Sequence, residues 1–114
     1  MTTVYSTREW FTLPEAAALL GVSSGRLARL IEDKYLLDVR VDGERRIPQD
    51  FFKDDEPLPG LRGTLTLLAD HGVVDDEAME WLLSNDEMLG EAPVDALRKG
   101  HKSTVRKSVQ LLAI

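Results

Sequence analysis

Thr12-Leu13-Pro14-Glu15-Ala16-Ala17-Ala18-Leu19-Leu20-Gly21-Val22-Ser23 holds a helix start, a helix stop and a second helix start within twelve residues. Thr12 can cap, Pro14 falls in the first turn where its missing N–H costs nothing, and Glu15 completes a capping box. Leu13, Ala16, Ala17 and Leu20 follow at helical spacing and give one apolar face. Gly21 ends the helix because glycine tolerates the left-handed conformation of a C-terminal cap. Ser23 then caps a second helix over 23–33. Leu27, Leu30 and Ile31 form its buried stripe, and Ser24, Arg26, Arg29 and Asp33 face out. Two short helices around so tight a corner suggest a helix-turn-helix. That motif needs a small residue where the helices cross, a glycine four residues on and an apolar residue six beyond. Ala17, Gly21 and Leu27 meet all three requirements.

The next stretch, Leu37-Asp38-Val39-Arg40-Val41-Asp42-Gly43-Glu44-Arg45-Arg46-Ile47, reads as a β-hairpin. Asp42-Gly43 is a two-residue turn signal, because glycine supplies the positive φ that such turns require. Arg40, Arg45 and Arg46 put three guanidinium groups on or beside the turn, and Pro48 closes the strand. A basic hairpin directly after an outward-facing helix is a wing. A purely structural corner and a solvated hairpin would use similar residues; the joint spacing and the basic tip favour a DNA-reading helix with its wing.

Trp10-Phe-Thr-Leu-Pro-Glu-Ala-Ala-Ala-Leu-Leu-Gly-Val-Ser23, with Arg26-Leu-Ala-Arg29 and Arg40…Gly43-Glu-Arg-Arg-Ile-Pro48, resembles the winged helix-turn-helix of the excisionase and MerR-type group. The whole chain is similar to a small actinobacterial DNA-binding regulator family, a mycobacterial member of which is regarded as a serine/threonine protein kinase substrate. The resemblance implies DNA recognition through the 23–33 helix by Ser23, Ser24, Arg26 and Arg29, and backbone contact by Arg40, Arg45 and Arg46. It also implies a Ser/Thr protein kinase as a partner. Thr2, Thr3, Ser6 and Thr7, in a polar N-terminal tail expected to be mobile, are candidate acceptors. Gly25, Glu32 and Asp33 depart from the family pattern. Glycine inside a helix costs roughly 1 kcal/mol against alanine, or lets backbone approach DNA closely.

Charge is distributed unevenly around this motif. The 114 residues carry a net charge of −6, yet residues 1–50 hold seven bases and eight acids. Residues 54–95 hold twelve acids and one base, Arg62, whereas 98–107 hold Arg98, Lys99, Lys102, Arg106 and Lys107 and no acid. An acidic total opposes indiscriminate polyanion binding by the whole surface, but local fields act over a Debye length of about 8–10 Å and leave room for a basic face. No cysteine is present, which excludes disulfides, thiolate nucleophiles and thiolate zinc sites. His71 and His101 have no carboxylate or hydroxyl partner at readable spacing. Asp54–Glu56 and Asp75–Glu77 lack the alternating ligands and glycine of a calcium loop. No phosphate-cradling glycine loop occurs. These absences point away from an enzyme and from any metal or cofactor. Apolar runs stop far short of the roughly 18 residues of a membrane span, and the N-terminus lacks a secretory core, so a soluble cytoplasmic protein is expected.

The expected organisation is a flexible polar tail over 1–9, a winged helix-turn-helix over 10–53, and a helical C-terminal extension over 54–114 packed on it. The fold is mainly α with a small β-hairpin wing. Lys53–Gly60 reads as loop, Trp81, Leu82 and Leu97 as core, and Val105, Val109 and Leu112 as the inner side of a last helix. Trp81-Leu-Leu…Ala92-Pro93-Val-Asp-Ala-Leu-Arg-Lys-Gly100 is similar to the toxin-binding region of some bacterial antitoxins. Two alternatives to a sequence-specific regulator follow. One is an antitoxin-like module binding a protein through its C-terminal helices; the other is an excisionase-like architectural factor. A single small module makes few contacts, so a homodimer or a protein partner is also expected.

Overall fold

The computed structural model describes residues 3–112. The chain runs through helix α1 (Leu13–Leu20), helix α2 (Ser24–Glu32) and helices α3 (Leu61–Asp70), α4 (Asp75–Leu83), α5 (Pro93–Arg98) and α6 (Lys102–Leu111). Strands β1 (Trp10–Thr12), β2 (Val39–Val41) and β3 (Glu44–Pro48) form one antiparallel sheet in the order β1-β3-β2. The capping box at α1 is formed: Glu15 N donates to Thr12 Oγ1 at 3.2 Å, and Thr12 N donates to Glu15 Oε1 at 2.8 Å. That second bond lowers the Glu15 carboxyl below its ordinary range. Gly21 caps α1 at φ 69°, and its N–H and that of Val22 reach back to the Ala18 and Ala17 carbonyls. Ala16, Ala17 and Leu27 are buried where the two helices meet. Leu30 and Ile31 are only half-buried and form the margin of that contact.

The hairpin reading gains a third strand. Trp10 to Thr12 pair with Pro48 to Arg46, so β3 lies in the middle of the sheet. The Lys53–Gly60 loop is corrected as well, since strands β4 (Phe52–Lys53) and β5 (Glu56–Pro57) close a second, very short hairpin. Its turn residues Asp54 and Asp55 take φ values of 55° and 61°. Aspartate tolerates this region better than most residues, so the turn forms without glycine.

The expected flexible tail is also overturned from Thr3 onward. Thr3–Thr7 is a 3-10 turn that packs on α4, and Tyr5 is buried there with its ring edge-on to Trp10 at 5.2 Å. Burial, with Asp76 and Glu80 nearby, pushes the Tyr5 hydroxyl up to about 12. Arg8 lays both terminal nitrogens on Asp95 at 3.0 Å each, with Asp50 at 3.5 Å. The N-terminal segment is thereby held on α5. Thr2, one of the candidate acceptors, lies outside the described residues.

One core joins all parts. Ile47, Phe51, Leu61, Leu68, Met79, Leu82, Val94, Val105 and Val109 are buried in a single cluster. Phe11 meets Phe52 edge-on across the junction at 5.5 Å. Two expected core positions move outward. Trp81 is only partly buried, because Met79, Leu82 and Leu83 occupy the inner face of α4. Leu112 lies beyond the end of α6 and is 44% exposed.

The Arg8 pair predicts an acid-range effect on stability. Arg8 holds the Asp95 carboxyl below its ordinary value of 3.8. A depressed folded value adds stability that is present above the unfolded value and lost as pH falls through the folded one. The gap in unfolding free energy between the wild type and Asp95→Asn therefore narrows as pH is lowered through this range, as read from urea melts.

Candidate nucleic-acid interface

Helix α2 is built to show one face and hide the other. Ser23 adopts extended backbone at φ −73° and ψ 164°, and its Oγ accepts the Arg26 N–H at 3.1 Å. Ser23 therefore acts first as the cap that fixes where the helix begins. Leu27 anchors the inner side, while Ser24, Gly25, Arg26, Ala28 and Arg29 are exposed. Arg26 and Arg29 are three residues apart and share a face. Among the described residues neither guanidinium makes an ion pair. A Cβ at Gly25 would meet nothing nearer than Ser23 Oγ at 4.0 Å, so nothing inside the chain requires glycine there. Glu32 and Asp33 are exposed where the helix ends.

The wing turn has Asp42 at φ 55° and Gly43 at φ 81°, the paired left-handed conformation of a tight hairpin. Arg40 pairs across the ladder with Arg45, and Val39 with Arg46. The period of two then puts Arg45 and Arg46 on opposite faces of the sheet. The three wing arginines consequently have three different surroundings. Arg40 is exposed and donates to the Gly43 carbonyl at 3.0 Å, which leaves the rest of its guanidinium open at the turn. Arg45 grips Asp38 with two nitrogens, the Nη2–Oδ1 bond measuring 3.1 Å, and the Asp38 side chain is only 4% exposed. The pair pushes the already high Arg45 pKa up further. Arg46 lies 3.9 Å from Glu44 on its own strand and keeps a buried Nε without a partner.

The fold thus brings the seven expected contact residues onto α2 with its cap and onto the wing. Arg26 and Arg29 share the outer face of α2, Ser24 lies on the side turned to the wing, and Arg40 stands at the wing turn. Between helix and wing runs an apolar trough of about 490 Å³, walled by Leu13, Pro14, Leu27, Ala28 and Ile31, with Arg45 at its rim. Arg45 is half of a clasp that neutralises a buried carboxylate at the base of the wing. Nothing in the sequence around Asp38 singles it out as the partner of Arg45. The seven-residue separation across a turn was the only available signal.

Elsewhere the described residues hold no group of three or more His, Cys, Asp or Glu side chains placed for a metal ion. Among them, no helix is long and apolar enough to cross a membrane. His71 ends α3 and its Nε2 is buried without a partner. In the segment 93–97, Pro93, Val94, Ala96 and Leu97 are buried in the chain's own core.

Comparison with known proteins matches both parts of the chain. Residues 3–52 match the family described as DNA-binding protein Rv2175c, wHTH domain, and residues 58–113 match the Rv2175c C-terminal domain of unknown function. The DNA-binding protein Rv2175c of Mycobacterium tuberculosis is 34% identical over 116 residues, spanning 90% of this chain and 80% of that protein. An excisionase of Streptomyces ambofaciens is 41% identical over 54 residues, 47% of this chain and 84% of its own length. The NMR structure of Rv2175c superposes with a TM-score of 0.85 at 32% identity, covering 94% of this chain and 82% of that one.

The clasp gives a prediction that separates wing stability from wing function. Arg45→Ala leaves the buried Asp38 carboxylate without its hydrogen bonds and lowers the unfolding free energy by about 1–3 kcal/mol. Arg40→Ala removes an exposed group and stays within about 0.5 kcal/mol of wild type. Chemical denaturation of the two variants checks the contrast.

Proposed function

The chain belongs to the family of the DNA-binding protein Rv2175c, and on that premise we propose that it binds double-stranded DNA sequence-specifically in transcriptional regulation, with helix 23–33 in the major groove and wing 38–47 on the flanking backbone or minor groove. The observation that carries this reading is the pair Arg26 and Arg29, exposed and, among the described residues, without ion pairs, on a helix whose opposite face is anchored by Leu27 and whose start is fixed by Ser23. Arginine is the side chain best suited to grip guanine O6 and N7 with two nitrogens. Arg40, open at the wing turn, is placed for phosphate, which positions the module without reading sequence. Arg45 and Arg46 contribute less, because each has a neighbour of opposite charge within the fold.

A cytoplasmic location and a binding role without catalysis accompany this proposal. The similarity to an excisionase favours one further reading, an architectural factor in recombination that uses the same surface. An antitoxin-like use of 93–97 is disfavoured, since its apolar side chains are buried in the chain's own core. Kinase regulation draws on Ser6 and Thr7, both exposed. That turn packs on α4, so a phosphate there would act on the C-terminal bundle rather than directly at α2. A homodimer on paired half-sites would supply affinity that one small module lacks.

Alanine at Arg26 or Arg29 is expected to cost about 1–3 kcal/mol on a preferred duplex and to relax preference at one base position. Arg40→Ala should weaken preferred and scrambled duplexes alike. Selection of bound sequences from random duplex DNA, followed by anisotropy titration of each variant, measures both effects. Equal affinity of the wild type for preferred and scrambled duplexes contradicts sequence-specific reading.

A further inference from the structure

In a segment of twelve acids, the single base between 54 and 95 is Arg62, and it is not scattered among them. Arg62 and Arg106, forty-four positions apart, line one open hollow of about 510 Å³ between α3 and α6. The two helices run parallel and in step. Lys102 lies beside Gly60 and Arg106 beside Gly63, and Asp70 and Gln110 also line the hollow. Gly63 makes this arrangement close, because a Cβ there would fall 2.8 Å from Arg106 Nη2. On α6, Lys102, Arg106 and Gln110 recur every fourth residue and form a stripe along the hollow.

The bases of 98–107 divide into two kinds. Arg98 donates to the carbonyls of Asp50 and Phe52, and Lys99 pairs with Glu91 at 2.7 Å, so both serve the fold. Lys102, Arg106 and Lys107 are exposed, and among the described residues none makes an ion pair; Lys107, next to Arg106 in sequence, lies off the stripe. Arg62 ties this face to the recognition helix. Its Nε donates to the Asp33 carbonyl at the end of α2 at 3.1 Å, and its guanidinium lies over the Tyr35 ring at 4.6 Å. Arg26, Arg29 and Asp33 share one face of α2, so Arg62 continues that line past the acids Glu32 and Asp33. One acid, Asp70, also lines the hollow, and Asp76 and Glu80 on α4 lie close to Tyr5. Like charges placed together without a carboxylate ion pair favour an external anion.

We infer that the α3–α6 face, through Arg62, Lys102 and Arg106, is a second phosphate-contact surface on the same DNA, so that the C-terminal unit extends the footprint beyond the winged module. This rests on the DNA-binding reading above.

The test is a salt titration of binding by the full chain, using a fluorescent duplex that extends beyond the winged module's site on both sides. Lys102→Gln/Arg106→Gln should flatten the slope of log K against log salt by about 0.9 for each phosphate no longer neutralised. It should weaken preferred and scrambled duplexes equally and leave the melting midpoint unchanged. Lys99→Gln removes one charge outside this face and should leave the slope as in wild type. If Arg29→Ala weakens binding while the double variant keeps the wild-type slope, the second surface is wrong and the DNA-binding reading stands. If Lys99→Gln flattens the slope as much per charge as the double variant, net charge explains the effect and the inference fails. If the wild type binds no duplex at low salt, both fall.

Discussion

The structure depends on β3 being paired along both edges. A wing built as a free two-stranded hairpin would be marginal in water, because two strands bury too little surface to hold their register. Here Trp10–Thr12 supplies the third strand, immediately ahead of α1. The capping box at Thr12 then starts α1 at the residue where β1 stops. Thr12 thus belongs to both, as the last residue of β1 and the cap of α1. Ile47, fully buried on β3, lies opposite Phe11, whose ring meets Phe52 at the entry to the C-terminal bundle. Displacing β3 by one residue would move Ile47 outward and bring Arg46 inward.

This arrangement sorts the arginines by role. Those within the fold are tied to carboxylates or carbonyls: Arg8 to Asp95, Arg45 to Asp38, Arg98 to two backbone oxygens. Arg26, Arg29 and the open part of Arg40 stand on surfaces that the fold presents and does not cover. A buried acid held by an arginine is costly to break, whereas an exposed unpaired arginine contributes little to folding and remains available to a polyanion. The same division explains how a chain of net charge −6 can belong to a DNA-binding family.

The helix-turn-helix was legible because its signals are local. Thr12, Glu15, Gly21 and Ser23 act within one turn of where they stand, and Ala17, Gly21 and Leu27 report a crossing set by spacing. Asp42-Gly43 located the wing turn for the same reason. What escaped were interactions across long sequence separations. Arg8 and Asp95 are 87 residues apart, and no pattern in residues 1–9 distinguishes an anchored turn from a loose tail. Strand β1 is three residues long, too short for a period of two to show. Trp81 looked like core because tryptophan is large and apolar, but α4 turns its smaller apolar residues inward. The candidate DNA-facing residues were legible as a set of basic and polar side chains near the corner. Which of them are free was not, since that depended on Asp38 and Glu44 as partners.

The outer face of α2 and the wing turn are the surfaces proposed to meet DNA. Mapping amide shifts by two-dimensional NMR as a selected duplex is added to the labelled full chain tests this most directly. The account predicts the largest changes at Ser23–Arg29 and Arg40–Gly43, with the amides of α4 and of the 3-10 turn at Thr3–Thr7 unchanged. Changes confined to α4 and α5, with α2 and the wing silent, would contradict it.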